Sequence, residues 1–307
     1  MHEWTGTCWR IFPIVIAVAR RGGFAAAASA LNMSPSAVSH AVKAVEDRLG
    51  QPLFARTTRS VALTEAGADF VASIGPALAM VEESIEHIRA ASGEVTGLLR
   101  INAPRLSLPL AITPAIVEMS RLHPGVTIEV TPDESLIDIV ASGYDAGVRL
   151  GEMIAEDMVT VRLTPPFKTA MVASPKYLKK RPALLNIDDL AKHNCIGYRL
   201  LSSGAAYAWD LQVDGRQVAV NVAGSLRVSD PLYARELARE GVGIAYIFEP
   251  LVRDDLCARH LVEVLPETAI EEPGLFLYFP RHVAKAPKLR FFIEVVRRGR
   301  RAQRGAS

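Results

Sequence analysis

The stretch SPSAVSHAVKAVEDRL, residues 34–49, decides how the chain is interpreted. Ser34 can cap a helix by accepting a hydrogen bond from a free backbone N–H, and Pro35 suits the first helical position, where no N–H is needed. The apolar residues that follow have helical spacing and predict one buried face: Ala37, Val38, Ala41, Val42, Val45 and Leu49. The opposite face carries hydrogen-bonding side chains and one cation: Ser36, Ser39, His40 and Lys43. These side chains could reach base edges and phosphates, although an ordinary surface helix has the same pattern.

The flanking residues predict a helix-turn-helix with a wing. A first apolar helix begins near Pro13 and is ended by Gly22-Gly23, and a short helix follows over residues 25–31. Asn32-Met33 then makes the turn into the helix at Ser34, which is the layout of a helix-turn-helix. Residues 51–64 predict two short strands around a basic tip that could lie along a minor groove or the phosphate chain, with Arg56, Thr57 and Arg59 as its candidate DNA contacts.

The run AAAASALNMSPSAVSHAVKAVEDRLGQPLFARTTRSVALTEAG, residues 25–67, resembles the winged helix-turn-helix of LysR-type transcriptional regulators. The resemblance extends over roughly residues 12–67, and the size and order of the remaining chain also match. It implies that the wing contacts DNA through Arg56 and Arg59, and the recognition helix with its entry through Ser34, Pro35, Ser36, Ser39, His40 and Lys43. It also implies a core of Ala28, Leu31, Val38, Val42, Val45, Leu49, Leu53 and Phe54.

Two departures from the family pattern affect the DNA-contact set. The chain has Gly23-Phe24-Ala25 where the family usually has Ser-Phe-Thr. A hydroxyl that could cap the second helix and touch a phosphate is therefore missing, at a cost of about 1 kcal/mol of helix stability. His40 stands where many members have Arg, so its contact would be neutral or pH-sensitive, unless the side chain is simply solvated.

A long connecting helix is predicted over residues 65–92, after a cap at Thr64 and an acid at Glu65. Its apolar residues are spaced three and four apart as in a coiled-coil heptad: Val71, Ile74, Leu78, Val81, Ile85 and Ile88. Such a seam favours a partner helix, although it could pack on its own domain. The resemblance implies that this helix pairs two subunits, giving a homodimer or a homotetramer. Gly75-Pro76 is expected to kink it.

Residues 98–307 alternate short apolar strands with helices, as an α/β sheet does. Strands are predicted at LLRINA, VTIEV, YDAGVRL, MVTVRL, GIAYIF and LFLYFP, and a hairpin around Asp214-Gly215. Helices are predicted over residues 106–122, 135–142 and 285–297, and another is capped at Asp230 and ended by Gly241.

This part resembles the two-lobed type II periplasmic-binding-protein fold, which is the effector domain of LysR-type regulators. Lobe I would comprise residues 98–167 and 270–297, and lobe II residues 168–269. The expected fold is thus α+β and multi-domain: a winged helix-turn-helix over residues 1–64, a linker helix over 65–92, and a two-lobed α/β effector domain.

Ligands in such sheets lie beyond the carboxyl ends of the strands, near helix N-termini. This rule gives the candidate effector residues Arg105, Ser107, Ser135, Arg149, Ser202, Ser203, Asp230, Tyr246 and Phe248. Hydroxyl groups, helix N-termini and an arginine would suit a small carboxylate. The alternatives are that each serine is a cap or turn residue, that Asp230 is only a helix cap, and that Arg149 pairs with Asp145 or Glu152.

The composition sets limits on the function. The first 64 residues hold seven basic and three acidic side chains, a net charge of +4 against +2 for all 307 residues, which favours a polyanion-binding module. Cys8, Cys195 and Cys257 are far apart and fit no metal site, which indicates a reducing compartment, and Cys195 is expected to be buried. Neither a metal nor a cofactor is predicted.

No apolar run is long enough for a membrane span, so a cytoplasmic protein with no membrane partner is expected. The arginine-rich tail, residues 297–304, is expected to be solvated and mobile.

The leading hypothesis is a homo-oligomeric transcription factor that binds double-stranded operator DNA and responds to a small-molecule effector between the two lobes. The alternative is a solute-binding protein without DNA binding, which residues 98–307 alone would permit. An enzyme is the third possibility, but the sequence contains no catalytic motif that supports it.

Overall fold

The computed structural model describes residues 10–56, 61–91, 95–135, 137–151, 154, 158–201 and 203–305. They form two compact units, one made mainly of the residues before Thr96 and one mainly of those after it.

The first unit is a winged helix-turn-helix followed by a long helix, as predicted. Its helices are α1 (Phe12–Arg21), α2 (Phe24–Ala30), α3 (Pro35–Leu49) and α4 (Glu65–Ala91). Its two strands, β1 (Phe54–Arg56) and β2 (Val61–Leu63), pair antiparallel to form the wing. Gly22 and Gly50, which end α1 and α3, both have left-handed φ angles of 68° and 69°, a conformation that glycine adopts without steric cost.

The core of this unit contains most of the predicted residues. Its buried members are Phe12, Val15, Val18, Ala27, Ala28, Val38, Val42, Val45, Leu53 and Phe54. The prediction was wrong for Leu49, which is 37% exposed because it lies at the end of α3 and lines a surface groove with Phe12 and Phe70. Leu31 is only partly buried.

Helix α4 is continuous from Glu65 to Ala91 and includes Pro76 in its interior, so Gly75-Pro76 does not end it. The kink expected there stays a prediction. Its amino-terminal half packs on the core through Phe70, Ile74 and Leu78. Farther along, apolar side chains are exposed to solvent: Met80 by 58%, Val81 by 51%, Ile85 by 48% and Ile88 by 74%.

The second unit contains two large sheets and a separate two-stranded one. Its strands are β3 (Gly97–Ala103), β4 (Val126–Pro132), β5 (Ala146–Leu150), β6 (Val159–Arg162), β7 (Phe167–Ala173), β8 (Cys195–Arg199), β9 (Ala206–Tyr207), β10 (Trp209–Val213), β11 (Arg216–Val220), β12 (Leu226–Val228), β13 (Ile244–Phe248), β14 (Val262–Val264), β15 (Glu271–Glu272) and β16 (Leu275–Phe279). Its helices are α5 (Thr113–Leu122), α6 (Pro175–Leu178), α7 (Pro231–Arg239), α8 (Glu249–Cys257) and α9 (Pro287–Gly305).

One sheet has the order β4-β3-β5-β16-β6, with β3 parallel to β4 and β5, and β16 antiparallel to its neighbours. The other has the order β12-β8-β13-β7-β14, with β9 on β8 and β15 on β7. The chain leaves the first sheet after β6 and returns to it at β16, which is the two-lobed arrangement that was expected. The lobe and domain boundaries given above stay a prediction. Strands β10 and β11 form the predicted hairpin on Asp214-Gly215.

Three predicted helices differ from the structure. The described part of residues 135–142 contains turns and no helix. The helix predicted from residue 106 begins as a π-helical turn, Leu108–Ile112, before α5. The last helix begins at Pro287 and continues to Gly305, so it includes the backbone of the arginine-rich tail, whose expected solvation and mobility stay predictions. Among the described residues, no single helix is long and apolar enough to cross a membrane, and α1 with α2 passes that test only as a pair bent by 118°.

Candidate nucleic-acid interface and ligand cleft

Helix α3 is capped at its start and presents a polar face because its valine side is buried. The Ser34 hydroxyl accepts a hydrogen bond from the Ala37 backbone N–H at 3.2 Å, and lies 3.0 Å from the Ser36 hydroxyl. With Val38, Val42 and Val45 buried on one side, the opposite side is directed outward. Ser34, Pro35, Ser36, His40 and Lys43 are exposed there, and Ser39 is partly buried.

Glu46 fixes the wing to α3, a role that sequence reasoning missed. Its Oε1 accepts the backbone N–H groups of Leu53 at 2.8 Å and Phe54 at 3.2 Å, where β1 begins. A single acid in the second half of a helix gives no sequence signal for such a contact. Of the predicted wing contacts, Thr57 and Arg59 lie outside the described residues, and for Arg56 only the backbone is described.

Thr64 joins the wing to α4. Its hydroxyl donates to the Pro52 carbonyl at 2.7 Å and accepts the Gly67 backbone N–H at 3.0 Å, which confirms the predicted cap. A Cβ at Gly67 would lie 1.9 Å from the Leu53 carbonyl oxygen, so only glycine permits this close approach.

In the second unit, Arg105 links the two lobes. Its Nε lies 2.8 Å from Oδ2 of Asp230, and its backbone N–H donates to Oε1 of Glu134 at 2.8 Å. Asp230 also caps α7 by accepting the Leu232 backbone N–H at 2.9 Å, as predicted. Two candidate effector residues from different lobes are thus in direct contact, with Glu134 beside them.

The pKa of Glu134, which lies beside this pair, is raised chiefly by burial. Burial raises the pKa of the Glu134 carboxyl above its ordinary value, and the negative charge of Asp230 adds to that increase. The N–H of Arg105 and the charges of Arg105 and Arg149 act in the opposite direction without reversing it.

Arg149 is buried under the lobe I strand ends rather than displayed in a cleft, with 3% of its surface exposed. Its guanidinium donates to the Val148 carbonyl at 2.7 Å, to Oδ1 of Asn102 at 2.9 Å and to the Ser135 carbonyl at 2.5 Å. Asp145, its predicted alternative partner, instead accepts the Arg100 backbone N–H at 2.7 Å, and Glu152 lies outside the described residues.

The remaining candidates make local contacts. The Ser107 hydroxyl donates to the Pro104 carbonyl at 2.6 Å, and that of Ser135 to Oδ1 of Asp133 at 2.5 Å. The Ser203 hydroxyl accepts the Ala205 N–H at 3.3 Å, as a turn residue does, while Ser202 lies outside the described residues.

The two aromatic candidates lie elsewhere in lobe II. The Tyr246 hydroxyl donates to the Asp210 carbonyl at 2.6 Å, and its ring stacks on Trp209 with centroids 5.5 Å apart. The Phe248 ring lies 5.0 Å from Phe167. The candidates therefore do not converge on one site: Arg105 meets Asp230, and Ser135 meets Arg149, but Ser203 and Tyr246 are separate.

Cys195 is buried on β8, as predicted, and burial raises the pKa of its thiol to about 12. At neutral pH it is therefore a thiol and not a reactive thiolate. No group of three or more histidines, cysteines and acids that could hold a metal ion occurs within the part of the chain that the structure describes.

A winged helix-turn-helix that precedes a two-lobed α/β ligand-binding fold defines a DNA-binding regulator with an effector domain. Two family models match accordingly: the bacterial regulatory helix-turn-helix protein, lysR family, over residues 9–68, and the LysR substrate binding domain over residues 92–301. The chain belongs to the LysR family of transcriptional regulators. This membership rules out the alternative of a solute-binding protein that does not bind DNA.

Relatives of known sequence are similar over nearly the whole chain. The uncharacterized HTH-type transcriptional regulator YcaN of Escherichia coli K12 is 34% identical over 292 residues, 95% of each chain. The HTH-type transcriptional regulator PgrR of the same strain is 33% identical over 273 residues, 88% of this chain and 91% of PgrR.

Solved structures share the fold. A full-length variant of AphB has a TM-score of 0.66 at 22% identity, covering 94% of this chain and 97% of AphB. Full-length LysG of Corynebacterium glutamicum, described with bound effector Arg, has a TM-score of 0.58 at 22% identity, with the same coverage of the two chains.

Proposed function

We propose that this regulator reads its operator with the outward face of α3, through Ser36, Ser39, His40 and Lys43, with Ser34 and Pro35 at the entry of the helix. The observation that supports this is the division of α3 into a buried valine face and an exposed polar face. Serine hydroxyls and a histidine ring can bond to base edges, and a lysine can contact phosphate. The wing residues Arg56, Thr57 and Arg59 would add phosphate or minor-groove contacts.

The test is a Ser36→Ala, Ser39→Ala double variant, measured by fluorescence anisotropy on an operator fragment recovered from sheared genomic DNA. Each lost base contact should weaken binding by about 1–3 kcal/mol, or about 5- to 150-fold. Ser120→Ala, which removes an exposed hydroxyl from α5, is the matched control and should bind normally. Affinity should also fall steeply with added salt because phosphate contacts release counterions. If the double variant binds as tightly as the control, the two serines are not DNA contacts.

We also propose a homo-oligomer held by the distal half of α4. The exposed apolar residues Val81, Ile85 and Ile88 continue the heptad spacing beyond the point where Ile74 and Leu78 pack on their own core. Burial of such a seam against a second copy would remove it from water. Two recognition helices would then be available for two half-sites.

Ile85→Glu places a charge on this seam and should shift sedimentation of the full chain toward the monomer. Met80→Glu is the matched control, because Met80 is similarly exposed on the same helix but lies off the seam. Equal dissociation by both variants, or by neither, contradicts pairing through the seam.

Finally, we propose that a small-molecule effector binds between the two lobes at Arg105 and Asp230, and that a small carboxylate suits this site. The support is that these residues belong to different lobes, so a ligand there would contact both. Arg105 supplies a guanidinium that can donate hydrogen bonds to a carboxylate. The LysG structure, with its bound arginine, is a precedent in a related protein.

A panel of amino acids and small carboxylates, screened by thermal shift on the full chain, tests this assignment. A compound that stabilises the wild type should lose its effect in Arg105→Gln and keep it in Arg121→Gln, which alters an exposed arginine on α5. If stabilisation survives Arg105→Gln unchanged, the effector binds elsewhere.

A further inference from the structure

We propose that lobe II carries a second small-ligand site, for a phosphate monoester or free phosphate, in the groove at the edge of its sheet between Arg199 and Arg227. The groove has a volume of about 310 Å³ and is also lined by Gly204, Gly224 and Ser225. This site is separate from the Arg105–Asp230 contact and does not depend on the function proposed above.

The sheet register places both arginines on one face. Arg227 of β12 lies opposite Gly197 of β8 in a parallel pair, and Arg199 follows Gly197 by two residues. Since side chains alternate between the faces of a strand, Gly197, Arg199 and Arg227 share a face. Two cations thus lie on one face of neighbouring strands, and a bound anion would reduce their mutual repulsion.

No acid among the described residues pairs with either guanidinium. Both side chains are exposed, and within the described residues neither has a hydrogen-bond or ion-pair partner. The lining of the groove contains no carboxylate. The Ser225 hydroxyl, at the same groove, provides a further donor.

Glycines make room for the two arginines. A Cβ at Gly197 would lie 3.2 Å from Cγ of Arg227, and a Cβ at Gly204 would lie 3.5 Å from a guanidinium nitrogen of Arg199. A Cβ at Gly224 would lie 1.9 Å from the Cys195 carbonyl oxygen, so that position cannot carry a side chain. The stem of Arg227 and the guanidinium of Arg199 therefore lie beside glycines, where a larger residue would crowd them.

The number of donors determines the class of ligand. Each guanidinium is a planar fork that can bond two oxygens of one anion. A monocarboxylate has two oxygens and satisfies one fork, whereas a doubly charged phosphate has enough oxygens and charge for both. The volume, at the lower limit for small-molecule pockets, fits a compact phosphorylated ligand rather than a dinucleotide.

The experiment is isothermal titration of the full chain with inorganic phosphate and with glycerol 3-phosphate, at constant ionic strength set by sodium chloride. We expect saturable binding of at least one of the two probes. The Arg199→Gln, Arg227→Gln double variant should weaken it at least about tenfold, as loss of two charge-assisted contacts would. Arg227→Lys keeps the charge but loses the planar fork, so its affinity for the probe should lie between those of the wild type and the double variant.

Arg216→Gln is the matched control, because it removes an exposed arginine of β11 that does not line the groove, and it should bind as the wild type does. Circular dichroism and the melting temperature verify that each variant is folded. Binding of glycerol 3-phosphate alone would identify the ester as the ligand, whereas binding of inorganic phosphate alone would identify the free ion.

Any of three results would overturn the proposal. The first is that neither probe binds saturably up to about 50 mM. The second is an equal loss of probe affinity in the double variant and in Arg216→Gln, and the third is a loss of probe affinity in Arg105→Gln with none in the double variant. A double variant that binds operator DNA less tightly while the wild type ignores both probes would also overturn it, and would make the groove a DNA contact instead.

Discussion

Substitutions of Asp230 separate the two roles of this residue, the cap of α7 and the bridge between the lobes. Asp230→Asn keeps a side-chain oxygen for the Leu232 N–H but loses the charge that faces Arg105. Asp230→Ala loses both. Asparagine and aspartate cap helices about equally well, so comparison of the two variants isolates the ion pair from the cap.

The exposed fractions of the two side chains set the magnitude. Arg105 is 56% and Asp230 25% exposed, so solvent screens the pair and it contributes about 0–1 kcal/mol. Loss of the cap costs about 1 kcal/mol more. We therefore expect a cost of at most about 1 kcal/mol for Asn and about 1–2 kcal/mol for Ala.

Hydrogen exchange of residues 231–239, with urea unfolding of the full chain, measures these costs. Glu236→Gln is the control, since it removes a weaker exposed pair with Arg239 on the same helix. The Asn variant has a second readout: the pKa of the Glu134 carboxyl, followed by NMR, should fall because the negative charge of Asp230 helps to raise it. Equal protection losses in the Asn and Ala variants, or an unchanged Glu134 pKa, would refute the division of roles.

Three further outcomes are expected. Burial alone would raise the pKa of Asp255, but the hydrogen bond and charge of Arg235 lower it overall. The carboxylate therefore stabilises the fold above the ordinary carboxyl pKa, and this stabilisation is lost as pH falls through the lowered value. Asp255→Asn should lack it and cost about 2–3 kcal/mol in urea unfolding near neutral pH, because the carboxylate is only 4% exposed while its partner Arg235 is 27% exposed. The raised pKa of Glu134 has the opposite sign, since its contribution holds at low pH and is lost as pH rises through the folded value; Glu134→Gln should flatten that part of the stability–pH curve. Gly67→Ala should destabilise the winged unit by about 1–3 kcal/mol in thermal unfolding, whereas Gly75→Ala, whose Cβ meets nothing closer than 3.9 Å, should be neutral or stabilising.

The winged unit was predictable because its signals are local. The Ser34 cap, Pro35 and the valine spacing of α3 all lie within a few residues of each other, and the structure confirms each of them. The Glu46 contact with Leu53 and Phe54 was not predictable, because the pattern gives no indication of which acid will turn toward the wing.

The second unit shows where local reasoning fails. Residues 135–142 have a helical apolar pattern, yet the Ser135 carbonyl, which would begin such a helix, accepts a hydrogen bond from Arg149 on a distant strand. Asp133 binds the Ser135 backbone N–H as well, and Ile139 is buried in a turn. Contacts between residues so far apart in sequence also explain why the effector candidates proved to be dispersed, and why the Arg105–Asp230 contact was not anticipated.

The hydrogen bonds of Thr64 have a practical consequence for isolating the DNA-reading part of this regulator. A fragment that stops at Thr64 would lack the Gly67 N–H that its hydroxyl binds, and would uncover the core surface on which Phe70, Ile74 and Leu78 lie. Proteolysis or truncation that spares these turns of α4 should leave an independently folded DNA-binding domain. Cleavage nearer the wing should release an unfolded peptide.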